Sequence, residues 1–198
     1  MSEAIEYVLG IPEANREEAV MLYDEAFGQK FSLAIRSANK RIELLSRSFC
    51  LDCAIAAISK GTLLGLAGFS TGESSLTGGI TYKRLLDTLG FFKGNWATFV
   101  FSLYERKPVP KELLMDGIAV RSDARGKGIG GRLLNELKAY AASQAFDSIR
   151  LDVIDTNPGA RKLYERNGFI ATKSESYESL RWLLGFGGST TLIHTISK

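Results

Sequence analysis

The chain has 198 residues, of which 45% are hydrophobic and 24% charged, values typical of a soluble globular protein with one domain over residues 1–198. The formal net charge is only +3, and outside one loop the basic residues are mixed with acidic ones, which argues against nucleic-acid binding. No run approaches the ~18 uninterrupted apolar residues of a membrane helix, and the start lacks a basic and apolar leader, so we expect a cytoplasmic protein with no membrane partner.

The first part of the chain alternates between strand-like and helix-like patterns. Apolar residues recur at every second position within 5–9, which predicts a strand, and a helix with one apolar face opens at Pro12. A second helix is predicted near residues 37–47. Residues 54–58 and 63–69 are predicted to pair as a β-hairpin.

About forty residues, 71–111, separate this hairpin from the next strand. Two apolar helical faces within them predict a pair of helices, broken at residues 93–95 with Asn95 as an N-cap. The two faces comprise Tyr82, Leu85, Leu86 and Leu89, and then Trp96, Phe99, Val100, Leu103 and Tyr104. Because large exposed apolar patches are rare on soluble monomers, we expect part of this surface to meet the sheet, a second subunit or a ligand.

A strand-like run at residues 113–120 is followed by a glycine-rich loop and a strongly periodic helix. The loop reads Arg125-Gly126-Lys127-Gly128-Ile129-Gly130, and Gly131 comes next. Its glycines leave backbone N–H groups uncovered before a helix whose amino end carries partial positive charge. Arg121 and Arg132 add charge at the same place. The pattern predicts an anion-binding loop, specifically one for a pyrophosphate.

Other interpretations of the glycines fit less well. A plain turn leaves four glycines beside several cations unexplained, and a P-loop needs Ser or Thr where Gly128 follows Lys127. Gly126, Gly128 and Gly131 do satisfy the dinucleotide fingerprint G-x-G-x-x-G, with Asp155 as a ribose partner. The dinucleotide-binding fold, however, makes a tight turn between the strand and the first glycine, whereas this chain has five residues there. Only 43 residues follow Asp155, too few to complete a doubly wound sheet.

The last part of the chain continues the alternation of strands and helices. Residues 149–153 predict a strand, and Asn157-Pro158 predicts a helix start with an N-cap and a proline at the first helical position. That helix is predicted to stop at Gly168, where the next strand begins. Residues 190–196 predict a closing strand.

The glycine loop and the segment 157–169 together resemble the GCN5-related N-acetyltransferase (GNAT) superfamily. The first signature of that family, Arg/Gln-x-x-Gly-x-Gly/Ala, is present at 125–130, and the second is similar to Asn157-Pro158-Gly159-Ala160 followed by Leu163-Tyr164 and Gly168-Phe169. The clear match covers roughly residues 113–170.

The resemblance implies an α/β (α+β) fold. Its central sheet would be mixed, mostly antiparallel and twisted, with about six to seven strands flanked by helices and splayed at the fourth and fifth strands. Residues 71–111 depart from the family pattern, which joins the third and fourth strands by a short turn. The helical pair is therefore expected as an insertion in the single domain. Because it leads directly into the fourth strand, we expect it to roof the acceptor pocket and to set its specificity for an apolar or aromatic amine, with extra core or a dimer contact as the alternative. Gly117 suits a bulge in the splayed fourth strand.

The resemblance also implies an activity, the transfer of an acetyl group from acetyl-CoA to a primary amine by direct attack in a ternary complex. Backbone N–H groups of the loop would hold the pyrophosphate, the fourth strand would pair with the pantetheine, and Asn157 would contact the pantetheine arm. The residues so assigned to the cosubstrate are Ile118, Ala119, Val120, Arg125, Gly126, Lys127, Gly128, Ile129, Gly130, Gly131, Asn157 and Tyr164.

Two residues are candidates for proton transfer. Tyr164 matches the family tyrosine that points its hydroxyl at the CoA sulfur, and a phenol of pKa about 10 can act as an acid towards a thiolate. Asp116 stands where some family members carry an acidic base, although a structural hydrogen-bonding role is an equal alternative. Glu73, Glu112 and Glu175 stay open as other bases.

The remaining candidate sites carry weaker signals. Cys50 and Cys53 form a lone C-x-x-C without further zinc ligands, which favours two reduced, partly buried thiols and no metal. His194, the single histidine, is expected to be structural. A non-catalytic acyl-CoA-binding module and a dinucleotide-binding protein stay open as alternatives. The acceptor amine, small molecule or peptide, and a homodimer are not decided by the sequence.

Overall fold

The structure, a computed structural model, describes residues 4–102, 109–178, 181 and 185–196. Leu103 and Tyr104, which the sequence placed on a helical face, lie outside the described residues. The strands are β1 (Glu6–Leu9), β2 (Ala54–Ser59), β3 (Thr62–Ser70), β4 (Glu112–Val120), β5 (Ser148–Ile154), β6 (Ile170–Ser176) and β7 (Gly188–Thr195). The helices are α1 (Arg16–Ser32), α2 (Ala38–Ser48), α3 (Tyr82–Leu89), α4 (Phe91–Ser102), α5 (Ile129–Ser143) and α6 (Pro158–Arg166).

The strands form one sheet in the order β1-β2-β3-β4-β5-β7-β6. Within the described ranges, β4 and β5 are the one parallel pair, and the other neighbours are antiparallel. The predicted hairpin is confirmed as β2 and β3. The sheet therefore confirms the expected α/β (α+β) fold with a mixed, mostly antiparallel sheet of six to seven strands.

The strands β4 and β5 diverge, as expected from the resemblance. They pair over Glu112–Leu114, opposite Ser148–Arg150, and the ladder ends there. The rest of β4 continues to Val120 beside β3. Of the strands that the structure describes, none pairs with one edge of this stretch, so backbone N–H and C=O groups there point into the opening.

A bulge in β4 lies at the point of divergence. Gly68 of β3 pairs with Gly117, but Phe69 pairs with Met115, so Asp116 is the additional residue. The bulge is therefore one residue before the predicted position. Gly117 has a different role, because a Cβ atom there would lie 2.4 Å from the Phe27 ring of α1. Only glycine admits this contact.

Helices cover both faces of the sheet. Gly117 meets Phe27 of α1, whereas the next residue, Ile118, approaches Gly130 of α5. Since successive strand residues point to opposite faces, α1 and α5 lie on opposite sides of β4. This explains why β2 and β3 are largely buried apolar runs and do not alternate with polar residues.

Local polar residues set the starts of three helices. The caps are Ser37 for α2, Thr81 for α3 and Asn157 for α6, and each side-chain oxygen accepts a backbone N–H three residues on, at 3.4, 3.3 and 3.0 Å. Such caps satisfy N–H groups that have no partner inside the helix. The predicted start at Asn157-Pro158 is confirmed.

The segment between β3 and β4 contains two helices, as its apolar faces predict. The break lies at Gly90, however, and the predicted break at 93–95 lies inside α4. Asn95 consequently bonds within α4 and does not cap it. The absence of a side chain at Gly94 lets α4 pack closely on α3, since a Cβ atom there would lie 2.8 Å from Leu86 Cδ2.

The buried side of this helical pair packs against other helices. Leu85, Ala97 and Val100 form a second hydrophobic cluster with Ala34 and Ile35 after α1 and Leu44 of α2. Tyr82, Trp96 and Phe99 remain 50%, 48% and 57% exposed. The pair therefore extends the α1–α2 layer. In the part of the chain described, no helix has the length and apolarity needed to cross a membrane.

Candidate functional site

The glycine loop presents a cradle of backbone at the start of α5. Gly126 and Gly128 have φ of +78° and +79°, and no atom lies within 4 Å of a Cβ built on either one. The first turn of α5 closes where the Arg132 N–H donates to the Gly128 carbonyl at 3.1 Å. The N–H groups of Ile129, Gly130 and Gly131 precede that bond and have no acceptor inside the helix. The loop can therefore donate several hydrogen bonds to an anion.

The charged side chains around the loop are partly neutralised. Arg121 pairs with Asp123 at 2.7 Å, and Arg132 pairs with Glu136 at 2.8 Å. Arg125 donates from Nε to the Val120 carbonyl at 3.1 Å, which fastens the loop to the end of β4. Backbone groups and the helix end thus supply much of the attraction for an anion.

The amino end of α5 brings three predicted regions together. A Cβ on Gly130 would lie 3.2 Å from Leu163 Cδ2 of α6 and 3.8 Å from Ile118 Cδ1 of β4. The residues Ile118, Ala119 and Val120 pair with β3 on one side and face the opening towards β5 on the other. The loop, the open edge of β4 and α6 therefore border one cleft.

Asn157, the N-cap of α6, and Tyr164 within α6 differ in burial. Asn157 is exposed, and its side-chain oxygen caps the helix through the Ala160 N–H at 3.0 Å. Tyr164 is buried, with its ring 6.0 Å from that of Phe169. Burial raises the pKa of Tyr164 above its ordinary value, so its hydroxyl keeps its proton at neutral pH.

Asp116, the additional residue of the β4 bulge, lines a cavity of about 540 Å³. Lining groups come from α1, from the loop after β3 and from the helical pair α3–α4, so the insertion forms part of the cavity wall. The described lining residues are Tyr23, Phe27, Phe31, Ser75, Thr77, Gly78, Ile80, Tyr82, Leu85, Thr98, Phe101, Ser102 and Asp116.

The aromatic residues of α1 are the part of this site that sequence reasoning missed. Tyr23 and Phe27 lie on the apolar face of the helix that the sequence predicts from Pro12, and Phe31 continues the same spacing by four. Their rings do pack together, with centroids 4.7 Å apart for Tyr23–Phe27 and 6.0 Å apart for Tyr23–Phe31. Burial, and secondarily the Asp116 carboxylate, raises the pKa of Tyr23. No sequence signal identifies which side of these rings faces a cavity.

The other candidate bases, Glu112, Glu175 and Glu73, lie away from the cavity of Asp116. Glu112 is buried at the start of β4 and pairs with Arg150 of β5 at 3.2 Å, where the two strands still run together. Glu175 on β6 accepts a hydrogen bond from Tyr177, and Glu73 is exposed on the loop after β3. None of these three lines the cavity of Asp116 among its described residues.

The cysteines and the histidine also have structural surroundings. Cys53 Sγ lies 3.1 Å from the Ser74 hydroxyl and 3.5 Å from Cys50 Sγ, and both thiols are free. Burial raises the pKa of the Cys53 thiol to about 11. The His194 ring donates from Nδ1 to a backbone carbonyl at 2.9 Å. Among the described residues, no cluster of His, Cys, Asp and Glu is arranged to hold a metal ion.

Asp155, the ribose partner of the dinucleotide alternative, is engaged in contacts with other parts of the chain. Its carboxylate accepts the Gly187 N–H at 3.2 Å and pairs with Arg181 at 3.1 Å. These contacts tie the end of β5 to the segment before β7. The residue therefore has a structural explanation that needs no nucleotide.

Known proteins resemble this chain in sequence and in fold. Residues 22–169 match the model of the "Acetyltransferase (GNAT) family". The uncharacterized N-acetyltransferase YhfO of Bacillus subtilis is 32% identical over 72 residues, which are 36% of this chain and 48% of that protein. The match thus spans about half the length of that relative.

Solved structures show the same fold. A GCN5-related N-acetyltransferase from Kribbella flavida has a TM-score of 0.62 at 16% identity, over 97% of this chain and 98% of that one. An N-acetyltransferase from Staphylococcus aureus has a TM-score of 0.63 at 13% identity, over 98% of this chain and 99% of that one. At such identities the likeness establishes the architecture.

Proposed function

The chain belongs to the acetyltransferase (GNAT) family, and we propose that it transfers the acetyl group of acetyl-CoA to a primary amine by direct attack in a ternary complex. One observation carries this proposal. The edge of β4 left open by β5 runs between the cavity of Asp116 at one end and the glycine loop of α5 at the other. A cleft of that kind can hold a long cosubstrate with its anionic and reactive ends apart.

The residues present fit acetyl-CoA at the anionic end. The space at the Cβ positions of Gly126 and Gly128 leaves room for phosphate oxygens against the backbone. The N–H groups of Ile129, Gly130 and Gly131 would donate to the pyrophosphate, and Lys127 would add charge. The open edge at Ile118, Ala119 and Val120 would pair with the pantetheine amides, with Asn157 at the other side.

Bound acetyl-CoA supplies an activated acetyl thioester. In the transfer, the amine nitrogen forms a bond to the acetyl carbon while the carbon–sulfur bond breaks. Asp116 accepts the proton that the amine loses, directly or through water, and Tyr164 donates a proton to the departing thiolate. Burial raises the pKa of Tyr164, so the hydroxyl carries the proton to be donated at neutral pH.

A backbone N–H of the bulged strand, at Ile118 or its neighbour, would donate to the carbonyl oxygen as negative charge develops there. Such a donor is fixed before the reaction by the pairing of β4 with β3. Removal of one preorganised donor of this type costs about 3–4 kcal/mol in other enzymes. The bulge therefore has a chemical as well as a structural consequence.

Two alternatives are less well supported. A non-catalytic acyl-CoA-binding module would need neither a carboxylate at the bulge nor a buried tyrosine on α6, and this chain has both. A dinucleotide-binding protein would need Asp155 for the ribose, and Asp155 is engaged by Arg181. A cytoplasmic location, where acetyl-CoA is available, stays a prediction, and a homodimer stays open.

A combined binding and activity experiment tests the proposal. We expect acetyl-CoA to raise the melting temperature, because a ligand that binds only the folded state stabilises it. NAD at the same concentration should leave the melting temperature unchanged. With acetyl-CoA and a panel of amines, a free-thiol assay should report CoA release that depends on the amine. Stabilisation by NAD alone, or binding of acetyl-CoA without transfer to any amine, would contradict the proposal.

A further inference from the structure

We propose that Phe27 of α1 is a positioning residue for acetyl transfer, because its ring packs against Gly117 and thereby fixes the bulge of β4. This inference rests on the proposed function. Gly117 follows Asp116 and precedes Ile118 in β4. The proposed reaction uses the Asp116 carboxylate and a backbone N–H at Ile118 or its neighbour, so the position of Gly117 sets both groups.

The hydrogen bonds of β3 indicate which backbone groups of β4 reach the opening towards β5. The Phe69 N–H donates to the Cys53 carbonyl at 3.0 Å, on the side of β2. Since the N–H groups of successive strand residues point to opposite edges, Gly68 faces β4, and its partner Gly117 faces β3. The N–H of the next residue, Ile118, then points to the opening, where the acetyl group would lie.

The Phe27 ring occupies the place that a side chain at Gly117 would take. A Cβ atom there would lie 2.8 Å from Phe27 Cε1, 3.2 Å from Cε2 and closer still to Cζ. Gly68, the partner of Gly117, is covered in the same way, since a Cβ atom there would lie 2.6 Å from Leu76 Cδ2. Directly opposite residues share a face of the sheet, so two side chains pack on this pair of glycines from one side.

The bulge needs such support because the pairing of β4 is least complete there. The ladder between β4 and β5 ends at Leu114. Beyond that point β3 is the one described strand that pairs with β4, and the additional residue Asp116 interrupts this ladder too. Phe27 therefore adds a contact from the helix layer at the place where the sheet itself holds β4 least.

Other aromatic rings hold Phe27 in place. Tyr23, one helical turn earlier, has its ring centroid 4.7 Å from that of Phe27. Tyr23 is buried, and its ring meets Phe49 edge to face at 5.2 Å. The position of Phe27 is thus fixed from within the core, and through Gly117 it is passed on to the bulge.

A complementary pair of substitutions tests this contact. Gly117→Ala adds one carbon where the ring lies, and Phe27→Leu removes Cζ and both Cε atoms, the three ring atoms nearest to that carbon. We expect Gly117→Ala to lower kcat about 100-fold, because a misplacement of about 1 Å can cost that much. Phe27→Leu, which removes the support without a clash, should lower kcat about fivefold by the same reasoning.

The double variant Phe27→Leu/Gly117→Ala should recover about tenfold in kcat relative to Gly117→Ala, since contacting residues are not additive. Independent effects would instead make the double variant slower than either single one. The measurements are CoA release from acetyl-CoA with one saturating amine of the panel, the same for each variant, and the acetyl-CoA-induced rise in melting temperature. That rise should be nearly unchanged in all three variants, because the glycine loop is intact.

Phe49→Leu is the matched control. It removes the same ring atoms from a buried phenylalanine that also contacts Tyr23. It should lower the melting temperature and leave kcat of the folded protein unchanged. A purely structural role for Phe27 would give the same result in Phe27→Leu. If Gly117→Ala does not fold, the comparison of Phe27→Leu with Phe49→Leu still decides.

The outcomes distinguish this inference from the proposed function. Equal kcat values for Phe27→Leu and Phe49→Leu, or a double variant no faster than folded Gly117→Ala, would overturn the role of Phe27 while leaving acetyl transfer intact. If the unaltered protein releases no CoA with any amine of the panel, the proposed function fails, and the role of Phe27 in it fails as well.

Discussion

The glycine loop and the aromatic cavity form the two ends of one cleft, and they are built in opposite ways. The loop is contiguous in sequence and exposed, and it presents backbone N–H groups at the start of α5. The cavity is assembled from α1, the loop after β3, the helical pair α3–α4 and the bulge of β4, and its walls are side chains. One end would hold the cosubstrate under the proposed function, and the other would face the acceptor.

The difference shows which parts of a site depend on local geometry. At the loop, Gly128 adopts a φ of +79°, which residues with a side chain rarely adopt. Anion binding there would therefore depend on the absence of a side chain. At the cavity, Phe31 and Phe101 lie 70 positions apart and meet only because α4 packs beside α1. Changes at the loop should therefore affect cosubstrate binding, and changes at the cavity should affect chemistry and acceptor choice.

The largest expected effect comes from Gly128→Asp. The new side chain would strain the backbone and place a carboxylate where the pyrophosphate binds, so the acetyl-CoA-induced rise in melting temperature should disappear together with activity. Gly61→Asp is a matched control, because Gly61 has φ +78° and open space in the distant β2–β3 turn. An undiminished stabilisation by acetyl-CoA in folded Gly128→Asp would break the assignment of the loop.

Asp116→Asn should lower kcat by about 10³-fold, within the range of a lost general base, and leave acetyl-CoA binding intact. A base acts when deprotonated, so activity should rise with pH through its titration in the unaltered protein, and this acidic limb should vanish in the variant. Asp87→Asn, on the exposed surface of α3, is the control. Retention of the full acidic limb in Asp116→Asn would assign the base to another group.

Tyr164→Phe should lower kcat by about 100-fold with little change in the affinity for acetyl-CoA, since only the acid is removed. Burial raises the pKa of Tyr164, so its acid form persists to higher pH. The unaltered enzyme should accordingly keep its activity to at least pH ~10, the ordinary pKa of a phenol. Equal losses of binding and turnover in the variant would indicate a packing role.

The smallest effect concerns Cys53, which lies behind the cavity against Ser74. With a pKa of about 11, the thiol is protonated at pH 8, and a thiol reagent should modify the folded protein at Cys53 very slowly. Cys50→Ser isolates this measurement, and denaturant should restore rapid labelling. Fast labelling of Cys53 in the folded variant would show that the loop after β3 opens often, which would make the cavity less defined than described.

The sequence predicted the elements well where the signals were local. The periodicity of α5, the N-cap at Asn157 and the β2–β3 hairpin are contained within a few residues, and all are present. The predicted break at residues 93–95 of the insertion is wrong, because Gly94 does not end a helix. In the structure it permits close contact with Leu86, which depends on how α3 and α4 pack.

The cavity shows the opposite case. Tyr23 and Phe27 have the spacing of any amphipathic helix, and periodicity cannot distinguish a core ring from one that borders a cavity. The resemblance singles out Asp116, but its position as the additional residue of a bulge depends on how its neighbours pair with Gly68 and Phe69 of β3. Long-range packing, which the sequence pattern does not contain, decides both.

A crystal structure of the protein with acetyl-CoA would test the central claim most directly. We predict that pyrophosphate oxygens lie within hydrogen-bond distance of backbone N–H groups between Gly126 and Gly131, and that the pantetheine follows the open edge of β4. The acetyl group should then lie at the bulge, facing the cavity of Asp116. A pyrophosphate bound elsewhere, or an acetyl group that points away from this cavity, would contradict the account.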